Sequence, residues 1–181
     1  MTTRTNDPLL LAGKVATILA QIAMGIGATA LVIATGALLI FKDKLILEYA
    51  QEVGDPNAVF PVFILIGVML IGLAMIAAMF VFFGKLRAII GTVGEGDPFQ
   101  PDNADRLSMM GWLMLGVQLL MLPATALGVQ LAKFADELED VHLTFDGGFD
   151  LTAILLVIIL FILARVFRLG AAMREDLEGT V

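Results

Sequence analysis

Between Val15 and Phe41 lie 27 consecutive residues without a charged side chain, and three more such runs follow: Phe60 to Phe83, Met109 to Leu131 and Leu151 to Ala164. As a helix, the first run is about 40 Å long against a hydrocarbon core of about 30 Å, so it can cross a bilayer with tilt. Inside lipid every backbone N–H and C=O has to find its partner within the protein, which favours helices for runs this apolar. The expected fold class is therefore all-α: a polytopic membrane protein with four transmembrane helices in an antiparallel bundle and a helical C-terminal extension. The expected spans are 15–41, 60–83, 109–131 and 149–167, with a loop at 84–108 and a tail at 168–181, all in one membrane domain.

Each run has its own character. Arg4, Lys14 and Ala28-Thr29-Ala30 mimic a signal peptide with its cleavage site, but the apolar run continues to Phe41, so an uncleaved span is expected. The second run lacks even Gln or Thr and should face lipid over much of its surface. Pro123 interrupts the third, where its ring frees the carbonyl of Leu119 and a kink is expected. The fourth is short, but Arg165 can snorkel to the headgroups while Val166 and Phe167 stay in the interface.

Orientation follows from lysine and arginine. Eight of the eleven lie in alternate segments: Arg4 and Lys14, then Lys85, Arg87 and Arg106, then Arg165, Arg168 and Arg174. Lys42, Lys44 and Lys133 occupy the other two loops. Both termini and the middle loop are thus expected in the cytoplasm, in a cell (inner) membrane. Trp112 and Tyr49 fit the aromatic belts at the two membrane surfaces. A net charge of −7 offers no basic field for nucleic acid, so no direct nucleic-acid binding is expected. The absence of cysteine removes disulfides and thiol chemistry.

The loops differ in organisation. Lys42 to Ala58 places Leu45, Tyr49 and Val53 on one helical face, and the other outer loop does the same with Phe134, Leu138, Val141 and Phe145, so each reads as a short amphipathic cap. The acids around Asp136 to Asp140 lack the spacing of a calcium loop and read as a solvated face beside His142, the only histidine. The middle loop carries more design. Helix should persist through Lys85-Leu86-Arg87 until Gly91, Gly94 and Gly96 end it; Asp97-Pro98 turns, and Asp102 caps the next helix with Asp105 in its first turn. No helix breaker follows span four before Gly179, so one rod should carry Arg165, Arg168, Arg174 and Glu178 out of the membrane.

Catalytic chemistry is missing. No Asp, Glu, Lys or His occupies a span centre, and no metalloprotease, serine-elbow or phosphate-loop motif occurs. No catalytic residue, cofactor or metal is expected. Gly25-Ile26-Gly27 lies inside a span and Gly94-Glu95-Gly96 follows no strand, so neither reads as nucleotide binding. Small residues four apart, such as Ala23 with Gly27 and Ala124 with Gly128, suit internal packing or a homo-oligomer face. Gln21, Thr29, Thr35, Gln118, Thr125 and Thr152 suit interhelical hydrogen bonds, with a polar solute path as the alternative.

Gly96-Asp97-Pro98-Phe99, Asn103, Arg106-Leu107 and Gly111-Trp112, with the ending Ala164-Arg165-Val166-Phe167-Arg168-Leu169-Gly170-Ala171-Ala172-Met173-Arg174-Glu175-Asp176 and Thr180-Val181, resemble a family of small bacterial four-helix membrane proteins catalogued as a domain of unknown function. Near Asn103 that pattern carries further basic residues, where this chain has Ala104 and Asp105. The resemblance implies no catalytic residues, and it implies a cytoplasmic helix-turn-helix regulator as a partner, since members are often encoded beside one. The expected interaction residues are Arg165, Arg168, Arg174, Asp97, Phe99, Asn103 and Arg106. The expected function is a non-catalytic interaction or regulatory protein that presents a cytoplasmic loop and tail; the alternative is a small-solute transporter or channel component acting as an oligomer. Beyond the lipid bilayer and these partners, nothing in the residues names a ligand.

Overall fold

The structure, a computed structural model, describes residues 7–55, 59–135 and 150–178. Among them are four helices: α1 (Pro8–Val53), α2 (Val62–Gly94), α3 (Pro101–Ala135) and α4 (Leu151–Glu178). They are long, apolar and packed antiparallel. Each contains a stretch long and apolar enough to cross a membrane, and within those stretches no more than 22% of residues are buried in the protein. Phe63, Leu151 and Ile40 are almost fully exposed, as only a lipid-facing surface tolerates. The chain is a multi-pass membrane protein.

Local chemistry sets the helix ends. Asp7 caps α1, its Oδ1 accepting from the Leu9 amide at 2.9 Å, and Pro8 fills the first helical position, where its missing N–H is not needed. Asp150 caps α4 in the same way, through the Thr152 amide at 2.8 Å, so this helix begins at Leu151. At α3 the expected cap is displaced by two positions, from Asp102 to Gln100: Pro101 begins the helix, and Asp102 sits in the first turn, where its charge still meets the positive helix end.

A larger difference concerns α1. With 46 residues it is about 69 Å long, more than twice the hydrocarbon thickness of about 30 Å, and it runs on to Val53. The part of the expected cap up to Val53 is thus a continuation of the helix that holds the first run, because nothing between Phe41 and Val53 breaks it, while residues 56–58 lie outside the described residues. Gly54, at φ 72°, ends it. The second outer loop, with Leu138, Val141, His142, Phe145 and the acids from Asp136, lies outside the described residues. α3 continues through Pro123 to Ala135.

The chain divides into two compact units, each cutting across several helices. One contains α1 up to Gly25, Ala77–Gln118 and α4 from its cap at Asp150. Its core joins Phe82 and Ile89 of α2, Leu107 and Met110 of α3, and Leu160 and Ala164 of α4, flanked by Phe83, Leu86, Leu113, Met114 and Phe167. The other contains Ile26–Ile76 and α3 from Leu119. There Gly67 admits Leu127, whose Cδ1 would lie 3.0 Å from any added Cβ, and Tyr49 is buried edge-on against Phe60 with ring centres 5.5 Å apart.

Candidate functional site

The loop between α2 and α3 is built by its backbone before any side chain acts. The amides of Gly96 and Asp97 bond the carbonyls of Val93 (3.1 Å) and Thr92 (3.0 Å), which closes α2 in a Schellman motif. That motif requires a left-handed residue, and Gly96 at φ 85° supplies it. Gln100 then accepts from the Asn103 amide at 2.9 Å as α3 begins. Six residues thus join the two helices, with the first three amides bonded back to α2.

Asn103 is the hub, with no exposed surface. Its amide nitrogen donates to Thr92 Oγ1 at 2.7 Å and to the Pro98 carbonyl at 2.9 Å, and its Oδ1 accepts from Arg106 at 2.8 Å. Thr92 passes the chain on by donating to the Ile89 carbonyl at 2.8 Å, and Arg106 also reaches Asp102 at 3.3 Å. Every buried polar group here has a partner, as a group taken from water needs. The network runs from the end of α2 through the loop to the first turn of α3, and hydrogen bonds in such chains strengthen one another.

The tail of α4 locks onto this loop. Arg174 pairs with Asp97, and Arg168 pairs with Asp105 at 3.2 Å. Between these pairs the Phe99 ring packs against Phe167, with centres 5.4 Å apart, and over Gly170. A Cβ on Gly170 would lie 2.5 Å from Phe99 Cδ1, so only glycine lets the ring settle there. One turn deeper, Gly111 does the same for Phe161, which also meets Trp112 edge-on.

The seven expected interaction residues therefore fall at one end of one unit. Six of them bond or pack against each other or their neighbours: Asp97 with Arg174, Phe99 with Phe167, Asn103 with Arg106, Arg168 with Asp105. Arg165 is exposed and has no ion pair or hydrogen bond among the described residues. The tail is a rod as expected, but it is a docked rod, with Arg174 turned to the loop. Trp112 is largely exposed, whereas Tyr49 is buried. Thr92, Phe167 and Gly170 complete the site without having been singled out. Gly170 had a signal, a glycine inside a helical run, which usually marks a close approach; a single threonine among apolar residues gives none.

The polar residues of the spans turn inward locally. Gln21 donates to the Phe80 carbonyl at 3.2 Å and Gln118 to the Asp150 carbonyl at 3.2 Å. Thr35 and Thr125 donate to the carbonyls of Leu31 and Met121 on their own helices, both at 2.8 Å. A Cβ on Gly25 would meet nothing within 4 Å, so no close approach of helices requires a glycine there. Among the described residues no group of three His, Cys, Asp or Glu side chains is placed to hold a metal.

The family described as protein of unknown function (DUF2975) matches residues 40–181. No curated protein and no solved structure matches the chain.

Proposed function

The chain belongs to the DUF2975 family, and from that premise we propose that it works without catalysis, as a membrane-held interaction protein whose middle loop and α4 tail form one docking surface. The observation that carries this reading is the lock between Asp97 and Phe99 on the loop and Phe167, Gly170 and Arg174 on the tail, with Asn103 of α3 holding the loop through the Pro98 carbonyl. A lipid anchor needs no such lock. A surface that has to present a fixed shape does, because ordering it beforehand lowers the entropy lost on binding.

Charge supports a cytoplasmic placement. Lys14, Lys85, Arg87, Arg106, Arg165, Arg168 and Arg174 all belong to the unit that carries the lock, and Lys42, Lys44 and Lys133 to the other. Around the lock, Glu95, Asp102, Asp105, Glu175 and Asp176 are exposed, and Phe99, Leu169 and Met173 show apolar surface. Acids around a small apolar patch suit a protein partner with a basic face. The solute-path alternative has less support, since Gln21 and Gln118 bond backbone carbonyls.

Proximity labelling at native expression tests the proposal. Arg174→Glu, and separately a Gly-Pro insertion after Gly170, should abolish capture of a cytoplasmic partner while leaving membrane abundance unchanged. Equal capture by the wild type and both variants would overturn it. Solute flux in vesicles that is lost in Gln21→Leu and Gln118→Leu would favour the transporter class.

A further inference from the structure

Beside the lock, on the other side of Arg168, a cleft of about 350 Å³ opens between α3 and α4. Ser108, Phe161, Ala164, Arg165, Arg168 and Leu169 line it. From these groups we infer that the cleft binds a phosphate ester, of the kind an anionic phospholipid headgroup carries at the membrane surface.

Depth argues first. Ser108 immediately precedes the uncharged run of α3, and Arg165 immediately follows the uncharged run of α4. From Leu151 to Ala164 is about 21 Å of helix, less than the hydrocarbon thickness of about 30 Å, so Arg165 cannot lie far beyond the headgroups. Trp112, one turn from Ser108, is largely exposed with its ring edge-on to Phe161 at 5.3 Å, as an indole anchored at a membrane surface should be. The cleft therefore faces headgroups.

Chemistry argues second. Two arginines and a serine line one opening, and arginine matches phosphate oxygens with paired N–H donors. Arg165 has no ion-pair partner among the described residues. Arg168 has Asp105 at 3.2 Å, but both side chains are more than half exposed, so the pair is weakly held and its cation can serve a second anion. Phe161, Ala164 and Leu169 give the cleft the apolar wall that a glycerol backbone and acyl chain would cover. Soluble phosphate shares the charged part of this chemistry and lacks the apolar part.

Trp112 is the only tryptophan and meets Phe161 of the cleft wall, so its fluorescence reports on the cleft in the detergent-solubilised full chain. Short-chain phosphatidylglycerol should shift its emission saturably, and short-chain phosphatidylcholine should not. Arg165→Gln with Arg168→Gln should weaken the apparent affinity roughly tenfold or more, since each base near the surface contributes about as much as a factor of five. Arg87→Gln, which removes an exposed base on α2 outside the cleft, should leave it unchanged. Asp105→Asn should tighten binding, because it frees Arg168; a misfolded protein cannot give that result. If inorganic phosphate binds as tightly as phosphatidylglycerol, the site is a phosphate site served from solution, and if it binds far more weakly, the lipid is the ligand. Phosphatidylglycerol binding that is insensitive to the two glutamines, or equal sensitivity to Arg87→Gln, would overturn the inference.

Discussion

The two compact units use the same helices in opposite ways. In the one that carries the middle loop, a fully buried asparagine, a Schellman turn, ion pairs from α4 to the loop and to α3, and a glycine-seated phenylalanine fix α2, α3 and α4 around six loop residues. In the other, apolar contacts such as Leu127 over Gly67, a buried tyrosine against Phe60, and the local bonds of Thr35 hold the helices. The ion pair there between Lys44 and Glu48, at 3.6 Å, lies within one helix and is well exposed. The difference teaches where shape is specified. Apolar packing in lipid is permissive, because lipid tails are as apolar as leucine. Polar partners are directional, so they appear where one geometry has to be held.

The comparison breaks first if the chain is inserted the other way round. Cysteines at Glu95 and Asp102 should escape an impermeant thiol reagent in intact cells, whereas a cysteine at Glu52 should react; the reverse pattern would place the lock outside. The next effect is energetic. Asn103→Ala leaves Thr92, Pro98 and Arg106 short of a partner, and should destabilise the protein in detergent by about 2–4 kcal/mol, measured by denaturant titration. Arg174→Ala should cost about 1 kcal/mol, since its pair with Asp97 is only partly buried. Thr35→Ala, in the other unit, should cost less than about 1 kcal/mol, because it removes a bond within one helix and a sulfur contact at 3.4 Å. A Thr35 effect as large as that of Asn103 would erase the distinction.

Much of this was legible in the chain. The four runs gave the helices, since charge-free length in lipid leaves few other folds. Asp97, Phe99, Asn103, Arg106, Arg168 and Arg174 could be picked out as a group, because loop glycines and a basic tail stand out against apolar spans. What they do was not legible. Arg174 reads along the sequence as a partner for Glu178 four residues on, and only the approach of two helices gives it Asp97. Asn103 stood among the expected interaction residues, and only the packing of the α3 start against α2 shows it buried and bonded to Thr92. The length of α1 was misjudged because Lys42, Asp43 and Lys44 mark a membrane boundary without marking a helix end. Tyr49 likewise has the composition of a belt residue, and Phe60 covers it.

Gly170→Ala tests most directly whether loop and tail form one surface. Alanine favours helix over glycine by up to about 1 kcal/mol, so α4 itself should exchange its amide hydrogens more slowly. Its Cβ, however, would meet Phe99 at 2.5 Å and drive the ring out of its seat. Hydrogen exchange across residues 95–100 should therefore speed up while exchange in α4 slows, two opposite changes from one methyl group. Loop exchange that stays unchanged, or slows along with α4, would show that the tail does not hold the loop, and the proposed docking surface would lose its basis.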